Sequence, residues 1–424
     1  MKCLKSMVAN KPYREIKNCR LCNSTKLSKF VDFGEVPLGN NLHTNSLDAK
    51  NIKSYPLLIN QCKDCKHFQL SISVDPKKLY ATNYTYLSSV GKSFIKHLEE
   101  YATWAFHKFS LSKTSNVLDI GSNDGSCLKQ FRNLGCNVLG VDPAKLASDI
   151  ANKNNIPTLN KFFNTELTDE IILKYGQFDF ITSHNVFAHI DDLQSVFQNI
   201  YRLLKKEAYF VFEIGYFRDV LESGCFDTTY HEHLDYHHAK PIALYLNSIG
   251  FSVEEFSRNK IQGGSLRTVV KKTGKGLLSD SVEKFLENES NSIISNYDFL
   301  NSWKSNINLS MKEFEDKVKE FANNGLKIVG YGVPTKATLL LNLANLSIEH
   351  IPFIVEDNIH KIGRYLPTSA IPICSVKKII TYKPDIIIIL AWNFSDDIIN
   401  KLSGIINWKC KCVIPLPSYR EVLF

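Results

Sequence analysis

Long apolar runs are missing from this chain of 424 residues. Its most apolar stretch, Ile386 to Trp392 (IIIILAW), is far too short to cross a bilayer and reads as a buried strand. The first twelve residues scatter lysines around no apolar core, so no export signal is predicted and a cytoplasmic location is expected. No block of consecutive Lys and Arg marks a nucleic-acid arm, and no basic stripe carries interleaved aromatics, so neither nucleic acid nor membrane is an expected partner. Internal repeats and low-complexity tracts are absent as well. What remains is a chain with 44% hydrophobic residues, enough for real cores, and a length that suggests roughly two to four domains. The net charge of +8 is modest and suits a basic surface with a local anion site. Eleven cysteines without an export signal point to a reducing compartment, where paired CxxC motifs bind metal more often than they form disulfides.

The order of patterns divides the chain. Residues 1–78 are rich in turn formers and hold two CxxC motifs. Residues 79–272 alternate short apolar strands with helical patterns; strands are expected at Asn116–Ile120, Asn137–Val141, Phe178–Ser183, Ala208–Glu213 and Leu266–Lys271. Such alternation argues for a doubly wound, mainly parallel α/β sheet of Rossmann type. Residues 273–325 form a polar connector with apolar positions at helical spacing (Val282, Phe285, Leu286; Phe314, Val318, Phe321), closed by Gly325 as a helix stop. Residues 326–424 start a second α/β pattern with LKIVGYG, HIPFIVED, DIIIILAW and CVIPLP.

Cys19-Arg-Leu-Cys22 and Cys62-Lys-Asp-Cys65 are two knuckles 39 residues apart. Each places two thiolates on one turn, half of a tetrahedral Zn²⁺ site, and together they close a Cys₄ shell with no position for a reactive water. The expected zinc is therefore structural, replacing a core that a small module lacks. The other cysteines, such as Cys127 and Cys136, sit in apolar company and read as core residues; Cys410 and Cys412 are a weak metal signal.

The central motif is Val117-Leu-Asp119-Ile-Gly121-Ser-Asn123-Asp124-Gly125, an apolar strand that ends in an acid and a glycine turn that opens a helix. This is the first βα turn of a nucleotide-binding sheet, and Gly121 lets the backbone approach a cofactor. No third glycine completes a dinucleotide fingerprint, whereas S-adenosylmethionine (SAM) has no pyrophosphate to bind. The next strand ends in Asp142, placed to accept both ribose hydroxyls. FDFITSHNVFAHI is expected to carry Asp179, Asn185 and His189 to the same sheet edge. Together these point to a SAM-dependent methyltransferase core. Asp227-Thr-Thr-Tyr230-His231-Glu232-His233 is the densest titratable cluster in the chain and follows the strand AYFVFEIGY. A histidine there can take a proton at neutral pH, a carboxylate can orient it, and a phenol can donate to a developing oxyanion. His237 and His238 read as surface or core residues, and a metal site from His231, His233 and His237 is a weaker alternative.

In these motifs the chain resembles the sugar C-methyltransferases of deoxysugar biosynthesis, the group that contains the tetronitrose and mycarose 3-C-methyltransferases. The matching pieces run nearly end to end: CRLC and CKDC, YLSSV, DIGSNDGS, GVDPA, HNVFAHI, TYHEHLDY, IQGGSLR, GYGVPTKATLLLN, VEDNIHKIGRYLP and PDIIIILAWNF. The resemblance implies a zinc module, a SAM-binding domain and a C-terminal Rossmann-like domain that helps hold a nucleotide-linked sugar. It also implies methylation at C3 of a nucleoside-diphosphate 4-keto-6-deoxy sugar. By that resemblance His233 is the base for the C3 proton, Tyr230 and Glu232 are its partners, and His189 and Tyr86 lie near the sugar and its C4 oxygen. Asp119 stands where many members have Glu, and His231 where many relatives carry another residue, often acidic.

In the last domain Gly330-Tyr-Gly332-Val-Pro334-Thr-Lys336 lacks the third glycine of a nicotinamide fingerprint. A basic pocket of Lys336, Lys361 and Arg364 for the substrate diphosphate is the favoured reading, against an ordinary solvated surface. The competing functions are O- or N-methylation of a related nucleotide-linked carbohydrate, a zinc-bearing scaffold with a vestigial SAM fold, and a nucleic-acid methyltransferase. The chain supplies all its modules itself, so a monomer would suffice.

Overall fold

The computed structural model describes residues 12–76, 79 and 87–424. The apolar segment Asn116–Ile120 lies inside a seven-stranded sheet, with Asn137–Val141 and Thr158–Leu159 on one side. On the other side follow Phe178–His184, Leu204–Gly215, Ser265–Lys272 and Phe251–Asn259. The first five are mutually parallel, and the last two join antiparallel. Phe251–Asn259 was not among the expected strands: Glu254 and Glu255 sit next to each other at a register shift, which breaks its alternation. Parallel strands are buried on both faces, which is why Phe180, Ile181, Phe210, Val211 and Phe212 are all fully buried.

The 39-residue spacer between the zinc knuckles is not a loose loop. Leu27–Pro37 and Ser54–Cys62 form an antiparallel pair with Leu27 opposite Cys62, so the hairpin's open end returns the second knuckle to the first. Phe68–Leu70 adds the next strand, and Asp235–Tyr236, from the far side of the chain, completes the sheet.

The polar stretch after 279 forms Asp280–Ser290 and the 27-residue helix Tyr297–Asn323. Ser279 and Asn296 cap them, each accepting a backbone N–H in the first turn. The stripe Leu300, Trp303, Ile307, Met311, Phe314, Val318 and Phe321 is buried along the long helix. The last sheet runs Ile373–Ser375, Ile354–Glu356, Ile328–Tyr331, Ile386–Ile389 and Lys411–Ile414 in parallel, with Arg420–Leu423 antiparallel at the edge. IIIILAW thus contributes a four-residue strand, and Cys410 and Cys412 are core residues beside it.

The modules share their cores. One contiguous apolar cluster takes Phe68 from the zinc module, Phe217 from the central domain, Trp303 from the long helix and Leu340 from the last domain. Phe30 stacks on Trp303 with centroids 5.7 Å apart, and Phe68 meets Phe217 at 4.9 Å. Among the described residues no helix is long and apolar enough to cross a membrane.

Candidate active site and zinc centre

The four Sγ atoms of Cys19, Cys22, Cys62 and Cys65 all lie within 4.8 Å of one another. Cys19–Cys65 and Cys22–Cys62 are 3.5 Å apart. A tetrahedral zinc with bonds of about 2.3 Å has sulfur–sulfur edges of about 3.8 Å, so the thiols already stand at the corners of such a site. Among the described residues no other group of three or more His, Cys, Asp and Glu is arranged to hold a metal. His231, His233 and His237 do not converge: His231 donates to the carbonyl of Pro56, His237 to that of Phe187. His237 and His238 are core residues.

At the carboxyl end of Asn116–Ile120 the chain turns through Gly121, which has φ +72° and no room for a side chain: a Cβ would stand 2.2 Å from Val186. Asp142, at the end of the neighbouring strand, accepts from the backbone N–H of Asn123 and Ala144 at 2.9 and 2.8 Å. Burial raises its carboxyl, and these two donors oppose the shift. Asp119 is buried with one carboxylate oxygen that meets no protein donor. Burial and the neighbouring Asp142 push it well above the usual carboxylate range. A ligand carrying hydroxyls and a positive charge would relieve both acids, and SAM carries both. The side chains of Asn123 and Asp124 accept from the backbone N–H groups of Ser88 and Ser89, each at 2.9 Å. They tie the segment that follows Tyr86 over the turn; Tyr86 itself lies outside the described residues. Gly125 caps the following helix, Ser126–Asn133. Asn185 directly follows Phe178–His184, its N–H bonded to the carbonyl of Glu213.

Asp179 does not reach this edge, contrary to the expectation from FDFITSHNVFAHI. It lies at the opposite, amino-terminal end of its strand, where it accepts from Asn116 N–H at 2.8 Å and pairs with Lys205 at 2.7 Å. Five residues of extended chain separate it from the site edge.

His233 and His189 come together across two loops, their ring centroids 4.8 Å apart. Nδ1–H of His233 donates to the carbonyl of Thr228 at 2.8 Å. A carbonyl only accepts, so the basic lone pair of the neutral ring is on Nε2, 2.8 Å from the Tyr230 hydroxyl. Burial, reinforced by His189, lowers His233 to about 3 and keeps it neutral at physiological pH. His189 donates Nδ1–H to the carbonyl of Glu232 at 2.7 Å, and burial lowers it too. Burial pushes Glu232 up to about 7, against a hydrogen bond from Asn40 at 3.2 Å.

All three modules touch this loop. Asn40 and Pro56 belong to the zinc module. From the last domain, Trp392 donates its indole N–H to Asp227 at 2.5 Å. Lys336 stands 3.8 Å from the same carboxylate and 3.5 Å from the Trp392 ring centroid. Lys361 folds back on the carbonyl of Val333 at 2.7 Å, at the same turn that precedes Lys336, and Arg364 follows it half-buried. Glu356 accepts from the N–H groups of Val333, Asp357 and Asn358, so both oxygens of the acid that would meet a ribose in a dinucleotide-binding turn are already engaged.

The roles of two features escaped sequence reading. Asn40-Asn41 after EVPLG matches a segment of the resembled family, but no local chemistry gives it a function. A buried network also joins Glu213 to His97 at 2.6 Å, Arg267 at 2.7 Å and Asn259 at 3.1 Å. Burial would raise Glu213, but His97, His184 and Arg267 hold it at about 2. Its members come from four elements, and no short motif collects them.

A Rossmann-type sheet with an acid–glycine turn, beside a closed four-cysteine centre, defines a SAM-dependent methyltransferase with a structural zinc module. Three family models cover the chain in order: a zinc binding domain at 19–80, a methyltransferase domain at 94–255 and a C-methyltransferase C-terminal domain at 260–417. These matches give the chain the domain order of a SAM-dependent C-methyltransferase. It is 28% identical to the C-methyltransferase NovU of Streptomyces niveus over 410 residues, 96% of this chain and 97% of that one. Two solved structures align with less than half of it. Magnesium protoporphyrin IX methyltransferase from Synechocystis PCC 6803 with bound SAM has 13% identity and a TM-score of 0.33, covering 42% of this chain and 79% of that one. A SAM-dependent methyltransferase from Clostridium acetobutylicum has 14% identity and a TM-score of 0.34, covering 42% and 92%.

Proposed function

We propose that this C-methyltransferase acts at C3 of a nucleoside-diphosphate 4-keto-6-deoxy sugar, with His233 as the base. The observation that carries this reading is the half-buried His233–Tyr230–His189 array, with its basic Nε2 fixed by the Thr228 carbonyl. A C–H beside a ketone becomes acidic only when the enolate oxygen is stabilised as the proton leaves. Such a reaction needs a neutral base and a hydroxyl donor side by side. His233 Nε2 takes the C3 proton, and the Tyr230 hydroxyl that donates to it turns to the C4 oxygen; His189 and Tyr86 complete that oxygen's surroundings. Glu232 adjusts the charge of the array. Asp119, Gly121, Asn123, Asp124, Gly125, Asp142 and Asn185 form the cofactor cradle, with Asp142 on the ribose hydroxyls. SAM, when bound, supplies the electrophilic methyl group. Lys361 reaches the turn that precedes Lys336, and these two cations, with Arg364, are offered to the diphosphate. A simple O- or N-methyl transfer would have no use for an enolate-stabilising hydroxyl.

The test is incubation with SAM and a dTDP- or GDP-linked 4-keto-6-deoxy sugar in deuterated buffer. Exchange or replacement of the C3 proton, with one methyl gained on carbon, is the expected result. No exchange, with methyl on oxygen or nitrogen, would refute it. His233→Asn is expected to lower turnover by about 10³-fold or more while SAM binding persists, since the base faces the sugar.

A further inference from the structure

Arg20 lies inside the first knuckle, between Cys19 and Cys22, yet its side chain leaves the zinc module and is only 3% exposed. Its Nη1 donates to the Asp191 carbonyl at 2.6 Å and to the Asp191 carboxylate at 3.0 Å. Its Nε stands 3.7 Å from the carboxylate of Asp235. Asp191 comes two residues after His189, and Asp235 two residues after His233. One guanidinium therefore spans the two loops whose histidines face each other. Neighbouring contacts follow the same line: Gln194 donates to the Leu21 carbonyl at 3.0 Å, and Leu234 N–H to the Ala188 carbonyl at 2.6 Å. The backbone of Arg20 is itself fixed, its N–H donating to Gln69 at 2.8 Å.

We propose that Arg20 is a positioning residue, a clamp that sets the His189 and His233 loops in register through Asp191 and Asp235. The proposal rests on the role given to those histidines above. Arg20 touches neither ring. It acts through the two aspartates, and its planar fork reaches both where a single ammonium reaches one. A residue that only docked the zinc module would affect stability and leave the relative placement of the rings unchanged. The zinc knuckle thereby reaches the reaction through the residue between its ligands, in addition to holding its own module folded.

The experiment compares wild type, Arg20→Met, Arg20→Lys and Asp191→Asn as zinc-loaded full chains. Ring signals of His189 and His233 are followed by ¹⁵N NMR without substrate, alongside zinc content, SAM affinity, kcat and KM. Arg20→Met is expected to keep one zinc per chain and SAM affinity within about 3-fold, to shift both ring signals and to lose about 10- to 100-fold in kcat. Arg20→Lys should recover part of the kcat, and Asp191→Asn should shift His189 more than His233. Unchanged ring signals and kcat in a zinc-loaded Arg20→Met protein would overturn the clamp. Should that variant not fold, unchanged signals and kcat in Asp191→Asn would do so. The ring signals need no sugar, so a full-activity His233→Asn protein would remove the functional reading while these spectra still decided the clamp.

Discussion

Glu232 illustrates how a single residue can be tuned against stability. Burial holds its carboxyl near 7, far above its unfolded value of about 4.3. A raised carboxyl contributes stability that is complete below the unfolded value and lost as pH rises through the folded one. Glu232→Gln is therefore expected to be more stable than wild type at pH 8, by about 1–3 kcal/mol, with little difference at pH 4. Melting temperatures at the two pH values check this, and parallel pH dependences would refute it. Asn40→Leu removes the donor that favours the ionised form, so the transition near pH 7 should move upward in the pH–rate profile. Tyr230, Glu232 and His233 were legible because they are adjacent in sequence. The role of Asn40 was not, because its partner lies 192 positions away and only folding joins them.

At the level of elements, two segment ends decide the outcome. Gly121→Ala would drive a Cβ into Val186 on a backbone with φ +72°, and calorimetry should find SAM affinity reduced at least about 10-fold. The helix Ala239–Ser248 has no cap from its own sequence neighbours. Instead Glu289 accepts from the N–H groups of Ala239 and Lys240, from the Tyr216 hydroxyl and from His238. Burial would raise this acid, but His238 and these donors hold it at about 2. A depressed carboxyl gives stability that is present above its unfolded pKa and lost as pH falls through the folded one. Glu289→Gln should therefore lose about 2–4 kcal/mol at pH 7, a gap that narrows below pH 4 in denaturant titrations. The parallel strands were legible because burial on both faces makes them continuous apolar runs. The cap of Ala239–Ser248 was not, since its carboxylate comes from another helix 50 residues on.

Across the whole molecule, three modules read as separate blocks in the sequence because each has its own motifs and periodicity. Their shared core was illegible: apolar residues at Phe30, Phe217 and Trp303 announce burial but not against what. Cys62→Ser is expected to lower zinc content below one per chain and to lower the melting temperature, with a single calorimetric transition because the apolar cluster crosses the modules. A separate, early N-terminal transition would contradict that continuity. Lys336→Met should weaken turnover while leaving SAM affinity unchanged, since Asp227 and Trp392 tie it to the histidine loop and not to the glycine turn. The short strand Asp235–Tyr236, lent by the central domain to the zinc sheet, has a consequence for recombination between relatives. A cut at the end of the zinc module transfers a sheet without its edge strand and leaves behind a loop shaped for a different neighbour. Functional chimaeras should be those in which the first 76 residues travel together with 226–237, so this stretch behaves as a hereditary part of a module it does not adjoin.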